Sequence, residues 1–412
     1  MDIPRKLKHS LFSVLGIEIE YMVVNQTTLD IQPIVDTVFE KIAGEITNEI
    51  QRNHVALNNE LALHVIELKT NGPTDNPWQA QLDFQNELNY LTQLLAEKNC
   101  KLMPTGMHPW MNPAHGVKLW PHGDKSIYEM YHKIFDCRGH GWSNLQSVHI
   151  NLPFANENEF IKLHNAIRLL LPLTPSLFAS TPICEGKATG SLSTRLTYYA
   201  NNQKKIPEIT GNVIPEYIEG FSDYYETILN PMFDAIAPYD PDKILQEEWL
   251  NSRGAITRFD RDAIEIRVVD SQECALADFA CASAIAGILK YIITNTDAYL
   301  QNPLDNQLLK QIFFQTIQEG MTSEINQKTW IEQFDLAKNK YATARHLWED
   351  LLIKSAIYIP TPFHATLEYI LANGNLAERM LKSLPKVFKS QDLYSLYNKL
   401  CQCLQENQLL KI

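Results

Sequence analysis

Four short apolar segments of the sequence carry acidic or imidazole side chains at alternate positions. They read Gly16-Ile-Glu-Ile-Glu-Tyr21, Leu63-His-Val-Ile-Glu-Leu68, Ser147-Val-His-Ile-Asn-Leu152 and Ala263-Ile-Glu-Ile-Arg-Val-Val-Asp270. Side chains two residues apart on a strand share a face, so each segment would turn its polar side chains one way and its apolar ones the other. Carboxylates crowded on one sheet repel each other unless a cation lies among them. The pattern predicts a divalent-metal site on an antiparallel sheet.

Each side chain of this proposed site has a plain structural alternative when it is considered alone. The alternatives are a surface acid on a half-exposed strand, an acid at the rim of a hairpin, a hydrogen-bonded imidazole and a surface ion pair. Together the residues favour a metal site, because the polar positions hold almost only metal-ligand or phosphate-binding types. The side chains concerned are Glu18, Glu20, Glu60, Glu67, His149, Glu265 and Arg267.

The donor set indicates which metal to expect. Carboxylates dominate and no thiolate is paired with them, so a hard ion is expected, Mg²⁺ first and Mn²⁺ next. Such a cluster suits nucleotide chemistry when arginines lie nearby, because guanidinium groups neutralise charge as a phosphoryl group leaves. Candidate arginines are Arg195, Arg253 and Arg258. The sequence contains neither a P-loop motif nor a dinucleotide-binding glycine motif.

A loop histidine and several aromatic residues are further candidates for ligand contacts. His108, in the loop Thr105-Gly-Met-His-Pro-Trp110, either contacts a ligand or is bonded to the backbone of a structural turn, and both alternatives stay open. The aromatic residues Trp142, Trp249 and the pair Tyr198-Tyr199 are expected to pack in the protein rather than to stack on a base.

Composition narrows the class of protein. The chain has 412 residues, is 45% hydrophobic and 20% charged, and carries a net charge of −12, which argues against nucleic acid as the main partner. The seven cysteines form no paired framework, which indicates a reducing compartment. Residues 1–9 lack an apolar run of signal-peptide length, and no stretch is expected to approach the length of a membrane span. A cytoplasmic protein that does not associate with membranes is expected.

Periodicity places the candidate residues on strands that are scattered among helices. Strands are predicted at 14–24, at 53–70 as a hairpin turning near Asn58-Asn59, at 101–106, at 145–152 and at 255–270 as a hairpin turning at Asp260-Arg-Asp. Helical spacing covers most of the remainder, including nearly all of the chain after residue 275, where one helix is expected over 324–337. Residues 172–190 are expected to be irregular. This arrangement predicts an α+β fold. We expect one catalytic domain over 1–412, with a sheet core at about 10–275 and a helical layer at about 276–412.

The chain resembles the glutamate–cysteine ligase type 2 family of carboxylate–amine ligases, which share a glutamine-synthetase-like catalytic sheet. The matching stretches follow the family's order along residues 16 to 270. They are Gly16-Ile-Glu-Ile-Glu-Tyr21, the segment from Glu60 to Glu67-Leu-Lys-Thr70, Gly106-Met-His-Pro109, Gln146-Ser-Val-His149, Gly190-Ser-Leu-Ser-Thr-Arg195 and Ile264-Glu-Ile-Arg-Val-Val-Asp270.

The resemblance implies an antiparallel sheet that curves around an active-site funnel and is covered by helices, with ATP and Mg²⁺ inside. It also implies a reaction in two steps. A substrate carboxylate attacks the γ-phosphate of ATP to give an acyl phosphate, and an amine then displaces phosphate to form an amide. The family's best-known pair of substrates is glutamate and cysteine, which would place the enzyme in glutathione biosynthesis.

The family's motifs also imply a role for each candidate residue. Arg267 would steady the transferring phosphoryl group beside Glu265, and Arg195 would hold a substrate carboxylate. Further substrate-binding candidates are Arg253, Arg258 and His108. The implied metal ligands, or side chains next to them, are Glu18, Glu20, Glu60, Glu67, His149 and Glu265.

Two departures from the family pattern leave the substrates open. Many members have a second histidine where this chain has Asn151, and residues 198–211 do not match the family's substrate-side pattern. The leading hypothesis is a ligase for glutamate and cysteine, with small-molecule amino acids as partners and a homodimer left open. The alternatives are a ligase for another acid and amine, a nucleotide- or metal-binding protein of the same fold without turnover, and an acidic scaffold without a metal.

Overall fold

The structure is a computed structural model that describes residues 9–123, 125–336 and 341–412. The N-terminal stretch 1–8, on which the expectation about a leader segment largely rests, lies outside the described residues. So does residue 337, the last residue of a helix expected over 324–337.

Eight strands form one antiparallel sheet that is not closed into a barrel, and a two-stranded ribbon lies apart from it. The order across the sheet is β2-β3-β4-β1-β6-β10-β9, and β5 pairs with the C-terminal half of β1. The strands are β1 Gly16–Asn25, β2 Glu49–Arg52, β3 Val55–Asn59, β4 Val65–Thr70, β5 Cys100–Met103, β6 Ser147–Pro153, β7 Ile183–Cys184, β8 Lys187–Ala188, β9 Ala255–Arg258 and β10 Ala263–Asp270.

The alternation of apolar and polar residues decides which face of the sheet is covered. Ile17 and Ile19 of β1 are completely buried on the face that packs against helices, as are Ile150 of β6 and Ile264 of β10. The side chains between them point to the opposite face, because successive residues of a strand alternate. The central strands therefore present their acids and His149 together on the face away from the helical core.

The hairpin before Thr70 differs from the prediction in its turn. Asn58 and Asn59 lie at the end of β3 and pair with Glu67 and Ile66 of β4, so the connection is the segment 60–64. An additional strand, β2, pairs with β3 on its other edge. The hairpin predicted at 255–270 is confirmed, with β9 and β10 paired and the turn at 259–262.

Helices supply the covering layers and nearly all of the chain after β10, which confirms the α+β fold. They are α1 Val35–Ala43, α2 Pro77–Ala96, α3 Lys125–Phe135, α4 His140–Ser143, α5 Glu157–Leu170, α6 Thr174–Phe178, α7 Thr194–Tyr199, α8 Phe221–Tyr224, α9 Asn230–Ile236, α10 Ala275–Asn295, α11 Ala298–Gln301, α12 Asn306–Glu319, α13 Lys328–Ile331, α14 Ala344–Ser355, α15 His364–Asn373, α16 Leu376–Ser383 and α17 Ser390–Glu406.

Local sequence explains where several of these helices begin and end. The side chain of Asn76 accepts the backbone N–H of Gln79 and Pro77 opens the first turn, so α2 starts there. Helix α13 is much shorter than the helix expected over 324–337, and α16 was not anticipated. The segment 172–190, expected to be irregular, contains α6 and the small β7–β8 hairpin.

Helix α10 packs directly beneath the sheet, against β1 and β6. By length and composition it could cross a membrane, so the expectation that no stretch approaches that length was wrong. In this fold 78% of its apolar stretch is buried inside the protein. Its alanines, such as Ala280 and Ala284, are completely buried, and they combine high helix propensity with small volume.

Candidate active site

A cavity of about 410 Å³ opens on the polar face of the sheet. Its floor is formed by the central strands, and its walls come from α3, α4, α7 and the turns before β9. The structure brings into this one cavity Glu18, Glu20, Glu60, Glu67, His149, Arg195, Arg258, Glu265 and Arg267. The hypothesis of an acidic scaffold placed these acids on outer surfaces, and this arrangement does not support it.

Strand register explains how acids from distant segments meet. Glu18 of β1 lies opposite both Lys69 of β4 and His149 of β6, and Glu20 lies opposite Glu67. Residues directly opposite on antiparallel strands have Cβ atoms about 5 Å apart. Glu265 enters from β10, the next strand beyond β6. Only Glu60 comes from a connection, the one between β3 and β4.

Two sets of side chains have ligand atoms close enough to share a cation. Glu18, His149 and Glu265 form one set, and Glu20, Glu67 and His149 form the other, with the ligand atoms of each within 4.8 Å of one another. Most of these donors are carboxylate oxygens, the ligands that Mg²⁺ and Mn²⁺ favour, while the imidazole suits Mn²⁺ better than Mg²⁺. The residues therefore fit a divalent cation.

Two acids of this cluster have pKa values above their ordinary values. Burial, reinforced by the charge of Glu20, raises the pKa of Glu60 to about 8. Burial also raises the pKa of Glu67 well above its ordinary value, and the neighbouring acids add to that rise. A bound cation stabilises ionised carboxylates, so a divalent ion held by this cluster would lower these raised pKa values.

Glu18 behaves differently because it lies beside cations. Burial acts to raise its pKa, but the hydrogen bond and charge of His149, together with Arg261 and Lys69, outweigh burial and lower the pKa to about 2. Burial acts to lower the pKa of His149, and its acidic neighbours reverse this and raise it. The His149 imidazole thus balances part of the carboxylate charge.

Arg267 is held at the cavity floor by Glu265. Its Nε donates to Glu265 Oε1 at 2.6 Å, and Glu265 is only 2% exposed. Burial acts to lower the pKa of Arg267, but the charge of Glu265 raises it above its ordinary value, so the guanidinium stays charged. Arg258 approaches the other oxygen of Glu265, with Nη1 3.4 Å from Oε2. Glu265 therefore joins two guanidinium groups to the carboxylate cluster.

Arg195 reaches the same cavity from α7 and is fixed by Asp270. Its Nε donates to Asp270 Oδ1 at 2.6 Å, and its Nη2 donates to the backbone oxygen of Arg267 at 3.2 Å. The pairing of β10 with β6 shifts register between Ile266 and Val269, which marks a bulge. A bulge changes which face later residues point to, and here it brings Asp270 within reach of Arg195.

Arg253, which was predicted to bind substrate, does not line this cavity. Its Nε and Nη2 donate to the two carboxylate oxygens of Glu216 at 2.5 and 2.8 Å, and Nη1 donates to the backbone oxygen of Glu208. The neighbouring Ser252 lines the cavity instead. The side chain of Arg253 thus points away and ties the segment before β9 to the loop around Glu216.

His108 is also absent from the lining of the cavity, and its contacts are those of the structural turn, the second of its two predicted roles. The side chain is completely buried, with Nε2 2.8 Å from the backbone oxygen of Leu29. Its Nδ1 accepts the backbone N–H groups of Trp110 and Met111. Every polar atom of the ring is thus used to fix the loop after β5.

We expect His108→Ala to destabilise the protein without changing substrate affinity. The substitution leaves three buried backbone groups without their partner, each costing about 1–3 kcal/mol. Urea unfolding would show a lower midpoint, while KM values at a temperature where the variant is folded would stay unchanged. A raised KM in a variant of normal stability would indicate that His108 contacts a ligand.

The cavity also contains residues that the sequence did not single out. Lys69 and Ser147 lie two residues from Glu67 and His149 on the same strands, so strand alternation could have identified them. The aromatic residues Tyr131, Trp142, Tyr199 and Trp249 also line the cavity, although only packing was expected of the last three. No local signal identifies them, because they come from four separate elements.

A second cavity of about 400 Å³ lies next to the first. The two share Glu18, Lys69 and Arg261, so the carboxylate cluster borders both spaces. Asn151 lines the second cavity and donates from Nδ2 to Glu18 Oε1 at 3.2 Å.

Similarity to known proteins agrees with this architecture. A protein of Archaeoglobus fulgidus described as uncharacterized is 32% identical over 396 residues, which span 96% of this chain and all of that one. A protein of Corynebacterium glutamicum (strain R) that carries a provisional name as a glutamate–cysteine ligase 2 is 26% identical over 199 residues, about half of each chain.

The crystal structure of the Francisella tularensis glutamate–cysteine ligase in complex with AMP shares the fold, with a TM-score of 0.57 at 13% identity over 96% of this chain and 89% of that one. The family model for glutamate–cysteine ligase family 2 matches residues 14–384, which include the whole sheet and every acid of the cavity. The resemblance drawn from the motifs is thereby confirmed. This chain belongs to glutamate–cysteine ligase family 2, a family of ligases.

Proposed function

We propose that the protein is an ATP-dependent carboxylate–amine ligase that forms an amide bond through an acyl phosphate. The observation that carries this proposal is the meeting of five glutamates, one histidine and four arginines in one cavity. Forming an amide from a carboxylate in water is unfavourable, and coupling it to phosphoryl transfer supplies the free energy. The site must then hold a triphosphate and a carboxylate side by side, which requires cations near both.

The carboxylates on the cavity floor would hold the metal. The two sets that share His149 are the proposed ligands, with Glu60 close to both. These residues would hold Mg²⁺, which would supply positive charge to offset that of the phosphates, and Mn²⁺ could take its place. The Corynebacterium relative and the Francisella structure in complex with AMP support a nucleotide-dependent ligase.

The arginines would orient the reacting groups. Arg267 is locked against Glu265 and stays charged, so it can stabilise negative charge on the phosphoryl group without reorganising during the reaction. Arg195, fixed by Asp270, would hold the carboxylate of the acid substrate, and Arg258 would support Glu265 from the other side. Holding both reactants in register is what lowers the barrier.

For the substrates we propose glutamate as the acid and an amino acid as the amine, with cysteine the first candidate. Family membership supports this pair and a place in glutathione biosynthesis, whereas Asn151 and residues 198–211 depart from the family's pattern. A ligase for another acid and amine is the alternative within the same chemistry. The net charge of −12 supports small molecules rather than nucleic acid as partners, and we propose a cytoplasmic location.

The decisive experiment is a screen for phosphate release with ATP, Mg²⁺ and pairs of acids and amines, followed by mass analysis of the products. We expect one pair to give an amide together with ADP and phosphate, and chelation of the metal to abolish the reaction. Tight binding of ATP without ADP or phosphate from any pair would favour the alternative of a binding protein that has kept the fold and lost turnover.

A further inference from the structure

The lining of the main cavity combines two kinds of chemistry. The carboxylates and arginines form one part of it, and rings from α3, α4, α7 and the turn at Glu248–Leu250 form another. These rings touch one another: the ring centroids of Tyr131 and Trp142 are 5.0 Å apart, and those of Tyr131 and Trp249 are 6.1 Å apart. We call Tyr131, Trp142, Tyr199 and Trp249 the aromatic wall.

The polar atoms of two rings are already bonded to the protein. Trp142 Nε1 donates to the backbone oxygen of Asn202 at 3.3 Å, and the Tyr199 hydroxyl donates to the backbone oxygen of Arg253 at 3.1 Å. What these rings offer to the cavity is therefore mainly apolar surface. Aromatic rings held in this way provide large contact area at little entropic cost.

The aromatic wall lies next to the place where an amide bond would form. Burial raises the pKa values of Tyr131 and Tyr199, and the positive charge of Arg267 opposes the rise in both, so both rings lie close to that guanidinium. A reactant that approaches the Arg267 guanidinium past these rings would thus contact the aromatic wall.

Two amide side chains that line the cavity have unused hydrogen-bonding groups. Gln203 is 2% exposed and lines the cavity, its Oε1 accepts from the Thr210 hydroxyl at 2.9 Å, and within the described residues nothing bonds its Nε2. Asn202 also lines the cavity, and its buried Oδ1 has no hydrogen-bond partner among the described residues. The N–H groups of Gln203 Nε2 are donors that match the carboxylate of an amino acid.

We propose that the aromatic wall, Gln203 and Asn202 form the pocket for the amine substrate and select an amino acid with an uncharged apolar side chain. The inference rests on the proposed ligase function and narrows it. An apolar side chain would gain contact with the rings, and a charged one would lose hydration there. A cationic side chain has the further disadvantage of approaching Arg267.

The test uses the intrinsic fluorescence of the full chain, which does not depend on turnover. In the presence of Mg²⁺ and ADP, the protein is titrated with L-leucine, L-phenylalanine, glycine and L-lysine. We expect leucine or phenylalanine to change the emission with a Kd roughly tenfold or more below those of glycine and lysine, as hydrophobic pockets discriminate by such factors. The change should largely vanish in Trp249→Phe and persist in Trp110→Phe, since Trp110 packs on His108 and Tyr397 outside the cavity.

Kinetics provide the second measurement once an active acid–amine pair is known. Trp249→Ala should raise KM for the apolar amine about tenfold or more and leave KM for ATP within about twofold. Three results would overturn the inference. They are equal affinity for glycine and leucine, tighter binding of lysine than of leucine, and a raised KM for ATP alone, which is expected if the aromatic wall stacks on adenine. If no acid–amine pair is turned over but leucine binds as described, the proposed ligase function is contradicted and the proposed pocket for an apolar amino acid is supported.

Discussion

Replacing Glu265 by glutamine is expected to lower turnover by about 10³-fold or more while leaving the fold intact. Glutamine keeps the size of the side chain and can still accept the hydrogen bond from Arg267 Nε, which lies 2.6 Å from Glu265 Oε1. It removes the negative charge that faces His149, Arg258 and the proposed cation. The charge balance of the site therefore changes and the packing does not.

The measurement combines single-turnover phosphate release with a titration of Mn²⁺ binding. A matched control exists in Glu87→Gln, because Glu87 is also mostly buried and accepts from an arginine, Arg52 Nε, at 2.6 Å, but lies on α2 away from the cavity. Glu87→Gln should at most lower the free energy of unfolding, and this control variant should retain metal binding. Normal turnover in Glu265→Gln would remove this residue from the chemistry and weaken the whole proposed site.

Arg267→Lys is expected to lower kcat by about 10²- to 10³-fold, even though it conserves the charge. The guanidinium can bond Glu265 through Nε and still direct its remaining N–H groups toward the cavity. A lysine ammonium is a single compact donor site on a flexible chain, and pairing with Glu265 would draw it away from the phosphoryl group. Because the loss falls on the reacting state, kcat should fall more than KM for ATP rises.

Arg52→Lys is the corresponding control, since Arg52 pairs with Glu87 in the same Nε geometry outside the cavity. It should show wild-type kinetics. Circular dichroism and urea unfolding of both variants would separate a catalytic loss from misfolding. An unchanged kcat for Arg267→Lys would show that the arginine does not contact the transferring group.

Much of the site could be predicted because it is built from strands. Glu18 and Glu20 share a face by alternation alone, and so do Ser147 and His149 or Glu265 and Arg267. The apolar residues between them, such as Ile17 and Ile264, must be covered, which leaves the acids on the opposite face. The family's motifs then implied which strands contribute to one site.

Two of the predicted substrate residues, Arg253 and His108, do not line the cavity, because contacts with distant partners set their positions. Arg253 sits one residue after Ser252, which lines the cavity, yet it turns away because Glu216 offers a bidentate pair elsewhere. His108 Nε2 contacts the backbone oxygen of Leu29, which lies 79 residues earlier in the chain. The sequence of the loop that contains His108 does not indicate this contact. For residues in loops, local pattern does not fix direction.

The sequence by itself determined which residues share a strand face and therefore that acids would gather with guanidinium groups, because a strand's period of two is a local property. Only the tertiary structure decided that the β10 bulge lets Asp270 fix Arg195 and that rings from four elements form the aromatic wall. Those features depend on strand register and on the packing of helices far apart in the chain. The free energy of packing between distant segments determines both the register and the helix packing, and no short segment of the sequence encodes it.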